Sequence, residues 1–278
     1  MKNIKILFLL ILTAVSCTSP AKKSSDKKEG IRIVSLAPSI TKEVEELGMA
    51  DHIVGATSYC DIAKNNKDLI IGDAINVNVE KVLLLKPDII LTTPMTRKST
   101  LELFRENGIK VYVEGKQYSF RDICKHFKEL GTQIGRPGKA MSIIDRTKAR
   151  IDSISKAMPE GAKGQKIFIQ IGADPLFAVI PDTYMDDYIK FAECENVTTG
   201  FKKGTISRET ILNRNPDVIL IATMGITAQE EKKKWESYKE LNAVKNGKVF
   251  IIDANVACVP TVKNFGQAFE DIVKLIVK

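Results

Sequence analysis

The chain has 278 residues, of which 44% are hydrophobic and 27% are charged, with a formal net charge of +8 at pH 7. This ordinary globular composition excludes collagen-like, coiled-coil and largely disordered proteins, and the length predicts about two domains. The basic residues are spread along the chain, without a stripe of Arg interleaved with aromatic residues. We therefore expect solvated surfaces and no nucleic-acid partner.

The N-terminus predicts a lipoprotein signal peptide over residues 1–16. A lysine-bearing segment precedes an apolar run at 6–15, which is too short to span a bilayer comfortably as a helix. The segment LTAVSC at 12–17 resembles a bacterial lipobox, which implies lipidation of Cys17; an ordinary secretory signal with a coincidental Cys is the alternative. The polar stretch at 17–30 is typical of a flexible tether. We expect an exported protein, lipid-anchored to the membrane on its periplasmic side or at the cell surface.

From residue 31 onward, short apolar runs alternate with helical patterns, which predicts mostly parallel sheets covered by helices. In the first half the predicted strands lie at 31–36, 53–56, 89–93 and 111–113, and the helices at 40–47, 79–85, 98–107 and 120–130. The pattern restarts with elements at 166–171, 184–192, 206–212, 218–222, 232–241, 249–252 and 265–277. The restart predicts a second lobe similar to the first.

The two halves also share a sequence repeat. VEKVLLLKPDIIL at 79–91 aligns with RETILNRNPDVIL at 208–220, and each indicates a short helix, a Pro-Asp break and a buried strand. Pro cannot continue a helix, and Asp favours the turn that follows. Glu80 and Glu209 occupy matching places in the first turns of the two helices. The repeat favours a duplicated α/β unit.

One long amphipathic helix separates the repeats. Over residues 138–158, apolar side chains recur at three- and four-residue steps, and charged side chains take the other face. A helix of about 20 residues spans roughly 30 Å. We therefore predict an α/β fold of two doubly wound lobes, at 31–137 and 161–278. An interdomain backbone helix at 138–160 joins them, and a ligand cleft lies between the lobes.

Few residues support enzymatic chemistry. His52 and His126 have no second ligand-type residue at metal-binding spacing, and the chain has no G-x-S-x-G, Walker or G-x-G-x-x-G motif. We therefore expect no catalytic residues, no metal site and no cofactor. The cysteines beyond Cys17 form no C-x-x-C pair, and the sequence leaves open whether any of them form disulfides.

Ligands of open α/β sheets bind beyond the carboxyl ends of the strands. The loops predicted at those ends carry apolar and aromatic side chains with a few polar groups, a lining suited to a bulky, partly apolar ligand. Loop packing is the alternative role for each residue, and the exposed aromatic character of Tyr59 favours ligand contact most. The candidate ligand-binding residues are Tyr59, Asp61, Met95, Tyr118, Asp174, Phe177, Met224 and Asp253.

Several segments, in their order and spacing, resemble the helical-backbone class of ABC-transporter substrate-binding proteins, in particular the vitamin B12-binding group and its siderophore and haem relatives. The segments are RIVSLAPSIT at 32–41, VGATSYCD at 54–61, the two Pro-Asp repeats, FIQIG at 168–172, Trp235 with LNAVK at 241–245, and VFIID at 249–253. The resemblance covers residues 31–278. It implies a protein that captures a small molecule and delivers it to an ABC permease dimer without altering it.

The resemblance also implies roles for particular residues. Glu80 and Glu209 match the carboxylates that engage Arg residues of two permease subunits, although complementing the helix dipole is an alternative role for both. Tyr59 matches an aromatic residue that contacts the corrin in B12-binding relatives. Phe177 and Asp253 lie in segments that line the cleft of those relatives.

The chain departs from the B12-binding relatives in its tryptophans. Those relatives carry Trp in the loops that here fall at 73–76 and 92–94, whereas the only Trp of this chain, Trp235, falls in a packing motif. We nevertheless predict a monomeric, membrane-tethered binding protein for a corrinoid. A ferric siderophore or haem is the alternative ligand, and an exported enzyme or a ligand sensor is the alternative function.

Overall fold

The computed structural model describes residues 30–73, 75–223 and 227–278. The predicted signal peptide, the lipidation residue Cys17 and nearly all of the predicted tether lie outside the described residues, as does Met224. Among the residues that are described, no helix combines the length and apolar character needed to cross a bilayer.

The N-terminal half alternates strands and helices as predicted. In chain order its elements are β1 (Ile33–Ser35), α1 (Pro38–Glu46), β2 (Ile53–Ala56), α2 (Asp61–Asn65), α3 (Val79–Leu84), β3 (Ile89–Thr92), α4 (Lys98–Glu106), β4 (Lys110–Val113) and α5 (Phe120–Gln133). The strands are parallel in the order β2-β1-β3-β4, which puts their carboxyl ends, and the loops that follow them, at one edge.

The C-terminal half follows the backbone helix α6 (Pro137–Lys156) and repeats the arrangement. Its elements are β5 (Lys166–Ala173), β6 (Leu176–Ala178), α7 (Asp186–Phe191), β7 (Glu195–Asn196), α8 (Arg208–Arg214), β8 (Val218–Ile221), α9 (Thr227–Glu236), α10 (Asn242–Lys245), β9 (Val249–Ile251), α11 (Ala254–Ala257) and α12 (Val262–Ile276). Strands β7, β8 and β9 are parallel to their neighbours, and β6 pairs antiparallel with β5. The predicted fold of two lobes built on largely parallel sheets is confirmed.

The predicted elements differ from the observed ones mainly in the second half. The sequence does not predict β6, β7 or α11, which are only two to four residues long and too short to establish a periodicity. The helix predicted at 232–241 begins earlier, at Thr227, and ends at Glu236. A turn in which the Leu241 N–H donates to the Tyr238 carbonyl (3.1 Å) separates it from α10.

The Pro-Asp repeat has the same geometry in both halves. The residue before each Pro, Lys86 or Asn215, is left-handed, with φ of 46° and 47°. The Asp88 carboxylate accepts the backbone N–H of Arg32 at 2.7 Å, and that of Asp217 accepts the N–H of Lys166 at 2.9 Å. Each Asp therefore joins the start of its own strand to the start of the lobe's first strand, which explains the shared motif.

The backbone helix α6 packs by its apolar face against α5 and α12. Its buried residues are Ala140, Ile143, Ile144, Thr147 and Ile151, as the periodicity predicts. The halves also touch directly: the Phe120 ring of α5 stacks on Phe265 of α12 with centroids 4.2 Å apart. These contacts hold residues Ile31–Lys278 together as one compact unit. The domain limits at 137 and 161 remain predictions.

Candidate ligand-binding cleft

The first cavity of the cleft lies between α1, the turn after β2, and α11. It has a volume of about 560 Å³ and is lined by residues of both halves. The buried thiol of Cys60 lies 3.1 Å from the Thr41 hydroxyl and 3.2 Å from that of Thr57, and these contacts fix the turn. The neighbouring Tyr59 consequently faces outward and is 67% exposed.

The second cavity lies mainly against the C-terminal half. It has a volume of about 500 Å³ and an apolar lining that includes Phe177 of β6 and Tyr118 of the loop after β4, which are 42% and 55% exposed. The Asp122 carboxylate accepts the Tyr118 N–H at 3.1 Å and the Ser119 hydroxyl at 3.0 Å, which orders this loop. Gly172 pairs with Phe177 across the hairpin. A Cβ at Gly172 would approach the Phe177 Cβ to 2.9 Å, so the absence of a side chain permits this close approach.

Cys258 lines both cavities and therefore marks where they meet. Burial, with a smaller contribution from the negative charge of Asp253, raises the pKa of its thiol to about 11. The thiol is consequently neutral at physiological pH and unsuited to nucleophilic attack. Among the described residues, the free cysteines are Cys60, Cys124, Cys194 and Cys258.

The first cavity carries charged side chains that the second lacks. Lys64 pairs with Asp61 at 2.7 Å, and Lys42 lies 3.9 Å from Glu45. Both pairs are solvent-accessible, so each lysine can exchange its partner for a ligand carboxylate at little cost. The cleft thus has a polar part and an apolar part.

The two helices of the Pro-Asp repeat lie outside both cavities and present matching carboxylates. Glu80 is the second residue of α3, and Glu209 is the second residue of α8; both are exposed. The side chain of Asn78 caps α3 by accepting the N–H of Lys81, and Ser207 caps α8 by accepting the N–H of Thr210. Since the caps are provided by other residues, neither glutamate is needed to satisfy the helix N-terminus.

Comparison with known proteins identifies the family. The profile of the family described as periplasmic binding protein matches residues 33–256, well over half of the chain. The chain belongs to the periplasmic binding protein family. The members of this class are ABC-transporter substrate-binding proteins and not enzymes, so the predictions of family and of a non-enzymatic role are confirmed.

Two curated binding proteins match over most of their length. The ABC transporter substrate-binding lipoprotein YvrC of Bacillus subtilis is 30% identical over 240 residues, which are 83% of this chain and 75% of YvrC. The high-affinity heme uptake system protein IsdE of Staphylococcus aureus is 29% identical over 267 residues, which are 91% of this chain and 90% of IsdE.

Solved structures of binding proteins agree with the fold. A Staphylococcus epidermidis chain, described as a possible iron-binding, periplasmic solute-binding protein, is 26% identical with a TM-score of 0.76, over 90% of this chain and 100% of that one. The vitamin B12-binding protein BtuF of Vibrio cholerae is 21% identical with a TM-score of 0.71, over 89% and 97%. At that identity BtuF supports the fold alone, and the corrinoid prediction gains no specific support.

The structure brings together some of the predicted ligand-binding residues of this binding protein. Tyr59 and Asp61 line the first cavity, and Tyr118 and Phe177 line the second. The remaining predicted residues, which line neither cavity or lie outside the described residues, are Met95, Asp174, Asp253 and Met224.

The structure shows where the described residues outside the two cavities lie. Met95 is exposed in the loop after β3, and Asp174 is exposed in the turn between β5 and β6. The carboxylate of Asp253 accepts the N–H of Asn255 at 2.8 Å and so caps α11. A carboxylate at a helix start serves that helix equally well with or without a ligand nearby.

Sequence reasoning missed the part of the lining that comes from helices. Lys42 and Glu45 project from α1, and Val256 and Asn255 lie on α11, which the sequence does not predict. The exposed polar side of α1 is visible in its pattern, but nothing local to it indicates that α11 lies opposite.

Both histidines pack against other parts of the protein chain. His52 Nδ1 lies 3.0 Å from the carbonyl oxygen of Ile31, and His126 is buried beside Gly115, where a Cβ would approach the imidazole to 2.8 Å. In the part of the chain that the structure describes, no group of three or more His, Cys, Asp or Glu residues is arranged to hold a metal ion.

Proposed function

We propose that this protein is an exported, lipid-anchored substrate-binding protein of an ABC importer, and that it captures haem in the cleft between its two halves. The observation that carries the choice of ligand is the division of the cleft into an apolar cavity and an adjoining charged one. Haem has a flat apolar macrocycle with two carboxylates at one edge. Its apolar ring therefore suits the apolar cavity, and its carboxylate edge suits the charged one.

In this proposal the macrocycle spans the junction of the two cavities, with its iron beside Tyr59 and most of its apolar surface in the cavity lined by Tyr118 and Phe177, where burial of apolar surface drives binding. The carboxylates face Lys42 and Lys64 in the adjoining cavity. Both lysines are already paired with carboxylates of the protein, so a ligand carboxylate competes with Glu45 and Asp61 for them. The lysines therefore orient the ligand more than they strengthen its binding.

Tyr59 is the residue that we propose as ligand of the haem iron. Tyrosine is an accepted haem ligand, and the Tyr59 side chain is exposed on the cleft. Two other candidates are less suitable: burial raises the pKa of the Tyr184 hydroxyl, which also donates to the Ala257 carbonyl at 3.2 Å, and burial raises the pKa of the Cys258 thiol to about 11. Neither group ionises readily to bind iron.

The comparisons favour this alternative over the corrinoid that the sequence suggests. IsdE, which shares 29% identity over nearly its whole length, is named for heme uptake, and the Staphylococcus epidermidis structure is described as a possible iron-binding protein. The stacking surface for a corrin is also reduced, since Trp235 is fully buried in the C-terminal lobe. A ferric siderophore is the competing chelate, and the binding experiment distinguishes it.

Delivery to the permease is assigned to the two exposed glutamates. Glu80 and Glu209 stand on helices related by the internal repeat, as a two-fold permease with a basic residue on each subunit requires. The membrane attachment is assigned to Cys17 through the lipobox-like segment, in keeping with YvrC, which is named as a lipoprotein.

The test of the ligand is a titration of the mature protein with haemin, cyanocobalamin and a ferric siderophore, followed by absorbance and equilibrium dialysis. We expect one haemin per chain, with a shifted Soret band. Tyr59→Phe should weaken haemin binding at least tenfold and change the visible spectrum, because the iron loses an oxygen ligand.

Tyr238→Phe is the matched control, since it removes a hydroxyl that lies outside both cavities. It should leave haemin binding unchanged. Tighter binding of cyanocobalamin or of the siderophore than of haemin contradicts the proposed ligand, and loss of haemin binding in both tyrosine variants contradicts the role of Tyr59.

A further inference from the structure

The hairpin that carries Phe177 into the cleft is hydrogen-bonded to the segment that leads into the docking helix α8. The N–H of Ala178 donates to the Gly204 carbonyl at 2.8 Å, and the N–H of Ile206 donates to the Leu176 carbonyl at 3.1 Å. Phe177 itself forms an antiparallel bridge with Thr205. Three residues along the chain separate that bridge from Glu209, so the cleft and the docking carboxylate share one short piece of backbone.

The Phe177 ring also rests on this segment. A Cβ at Gly204 would come within 2.5 Å of the ring, so the absence of a side chain at Gly204 permits the contact. A ligand that presses on the exposed face of Phe177 therefore acts on the chain immediately before α8.

A buried carboxylate also links the β5–β6 hairpin to the docking helix α8. Glu231 of α9 is 1% exposed. Its Oε2 accepts a hydrogen bond from Gln170 of β5 at 2.8 Å and one from Arg208 of α8 at 2.7 Å. Gln170 also donates to the Gly172 carbonyl, 3.0 Å away, at the base of the hairpin. The carboxylate thus binds the hairpin strand and the docking helix at the same time.

The surroundings of Glu231 keep it ionised. Burial disfavours the charged form, but hydrogen bonds from Lys234, Arg208 and Gln170 outweigh burial and lower the pKa of Glu231 to about 2. The Arg208 guanidinium lies over the Trp235 ring at 4.3 Å, and the Trp235 indole donates to Gln170 Oε1 at 2.7 Å. Glu231, Arg208, Gln170 and Trp235 are therefore each held by at least two other members of the group.

We propose that Glu231 is a positioning residue that fixes the docking helix α8 relative to the ligand-contacting β5–β6 hairpin, so that Glu209 is presented to the permease in a geometry set by the cleft. The docking role of Glu209 rests on the proposed function. The positioning role of Glu231 is tested separately, in the protein without permease.

The test compares Glu231→Gln with Glu230→Gln by hydrogen exchange of the ligand-free protein. The two substitutions remove one charge each from adjacent residues of α9, but Glu230 is exposed. We expect amides of α8 to exchange at least tenfold faster in Glu231→Gln and unchanged in Glu230→Gln. Amides of α3, in the other half, serve as the internal reference and should not change.

Arg208→Gln gives a second route if Glu231→Gln folds poorly, because it breaks the same bond at its half-buried partner. It should loosen α8 while leaving the carboxylate paired with Lys234. The Trp235 indole N–H is the single tryptophan signal in an NMR spectrum and should shift in both variants, because it shares Gln170 with Glu231.

Unchanged exchange of α8 in both variants overturns the positioning role. Uniformly faster exchange across the C-terminal lobe also overturns it, since Glu231 would then support the fold in general. Addition of haemin tests the link to the cleft: exchange at 204–214 should change in the wild type, and no change despite saturation overturns the link. Failure of haemin to bind refutes the ligand assignment. The exchange rates of the ligand-free variants then still decide whether Glu231 positions α8.

Discussion

The two halves of the protein contain the same βα unit but hold their docking helices differently. In the N-terminal half, Lys81 of α3 donates to the backbone carbonyls of Asp68 and Ile70 at 3.1 and 2.7 Å, and Arg32 donates to the Leu85 carbonyl at 2.7 Å. In the C-terminal half, the corresponding attachment of α8 is the pair formed by the half-buried Arg208 and the buried Glu231.

The difference has a physical consequence. Flexible cations that bind backbone carbonyls near the surface can be replaced by water at small cost, whereas a buried carboxylate that loses its partner remains unpaired and destabilising. We therefore expect α3 to tolerate changes in its attachment and α8 to depend on a single group. The duplicated fold thus carries two docking helices of unequal sensitivity.

The largest expected effect comes from removing both docking carboxylates. Import by cells carrying Glu80→Ala with Glu209→Ala should fall to background, because each lost charge pair costs docking about 2 kcal/mol or more. Haemin affinity should stay within about twofold, since both residues lie outside the cavities. Single variants then measure whether the two helices contribute equally.

Glu106→Ala with Glu240→Ala is the matched control for the docking pair. It removes one exposed carboxylate from each half, and neither residue lies on α3 or α8. Import should remain normal. A similar loss of import in this control would attribute the effect to net charge and would count against docking through Glu80 and Glu209.

The next effect concerns the packing contact between the two halves. Phe265 stacks on Phe120 and lies 4.5 Å, centroid to centroid, from Tyr188, so Phe265→Ala should lower the free energy of unfolding by about 3–5 kcal/mol. Phe104→Ala, in the core of the N-terminal half, should cost a similar amount in urea denaturation. Only the Phe265 variant should also weaken haemin binding, because only it loosens one half against the other. Equal haemin affinities would contradict this distinction.

The N-terminal half should also show a dependence of stability on pH. Burial, first, and the charge of Glu129 raise the pKa of Glu114 to about 7, and burial with the charges of Glu114 and Glu46 raises that of Glu43. A raised pKa in the folded state means that stability is fully present below the ordinary value near 4.5 and falls as the pH rises through about 7.

Glu114→Gln should flatten this dependence, since it replaces a titrating carboxyl group with an amide that does not titrate. Between pH 5 and pH 8 the wild type should lose about 1–3 kcal/mol more than the variant in urea denaturation. Glu102→Gln, a change at an exposed carboxylate of α4, is the control and should leave the wild-type dependence intact. An equal loss of stability between pH 5 and pH 8 in the wild type and in Glu114→Gln would contradict the prediction.

The smallest effect compares the two Pro-Asp motifs. Asp217→Ala should cost about 1–2 kcal/mol of stability and Asp88→Ala somewhat less. Both lose a bond to the first strand of their lobe, but Asp217 also accepts from the Asn242 amide at 3.0 Å. The Asn variants keep an acceptor oxygen and should lose less than the Ala variants. Equal costs at the two sites would refute the assigned difference.

Much of the fold follows from local patterns. The strand at 53–56 is predicted at its observed limits. The backbone helix, whose length gives a clear periodicity, begins within one residue of its predicted start and ends at Lys156, before the predicted limit at 160. The repeat correctly indicates that the Pro-Asp unit recurs, and the structure adds its cause in the bonds to Arg32 and Lys166. The unpredicted strands β6 and β7 form because β5 offers them an edge to pair with.

The candidate site is less accessible to sequence reasoning. Tyr59 could be singled out because an aromatic residue in a turn after a strand is visible locally, and it lines the first cavity. Phe177 lines the second cavity, but it lies in β6 and not in the loop that the sequence predicts. Asp253 looks equally suitable in the sequence but caps α11 instead. The role of Glu231 depends on Gln170 and Arg208, which are 61 and 23 residues away in the chain.

The sequence by itself therefore determined the α/β class, the duplication, the long central helix and the matching positions of Glu80 and Glu209, since each rests on periodicity or repetition along the chain. The tertiary structure alone decided which loops share the cleft, that Cys258 joins its two cavities, and that buried carboxylates tie distant elements together. The reason is physical: burial and charge pairing depend on which segments meet in space, and residues far apart in the chain carry no local sign of that meeting.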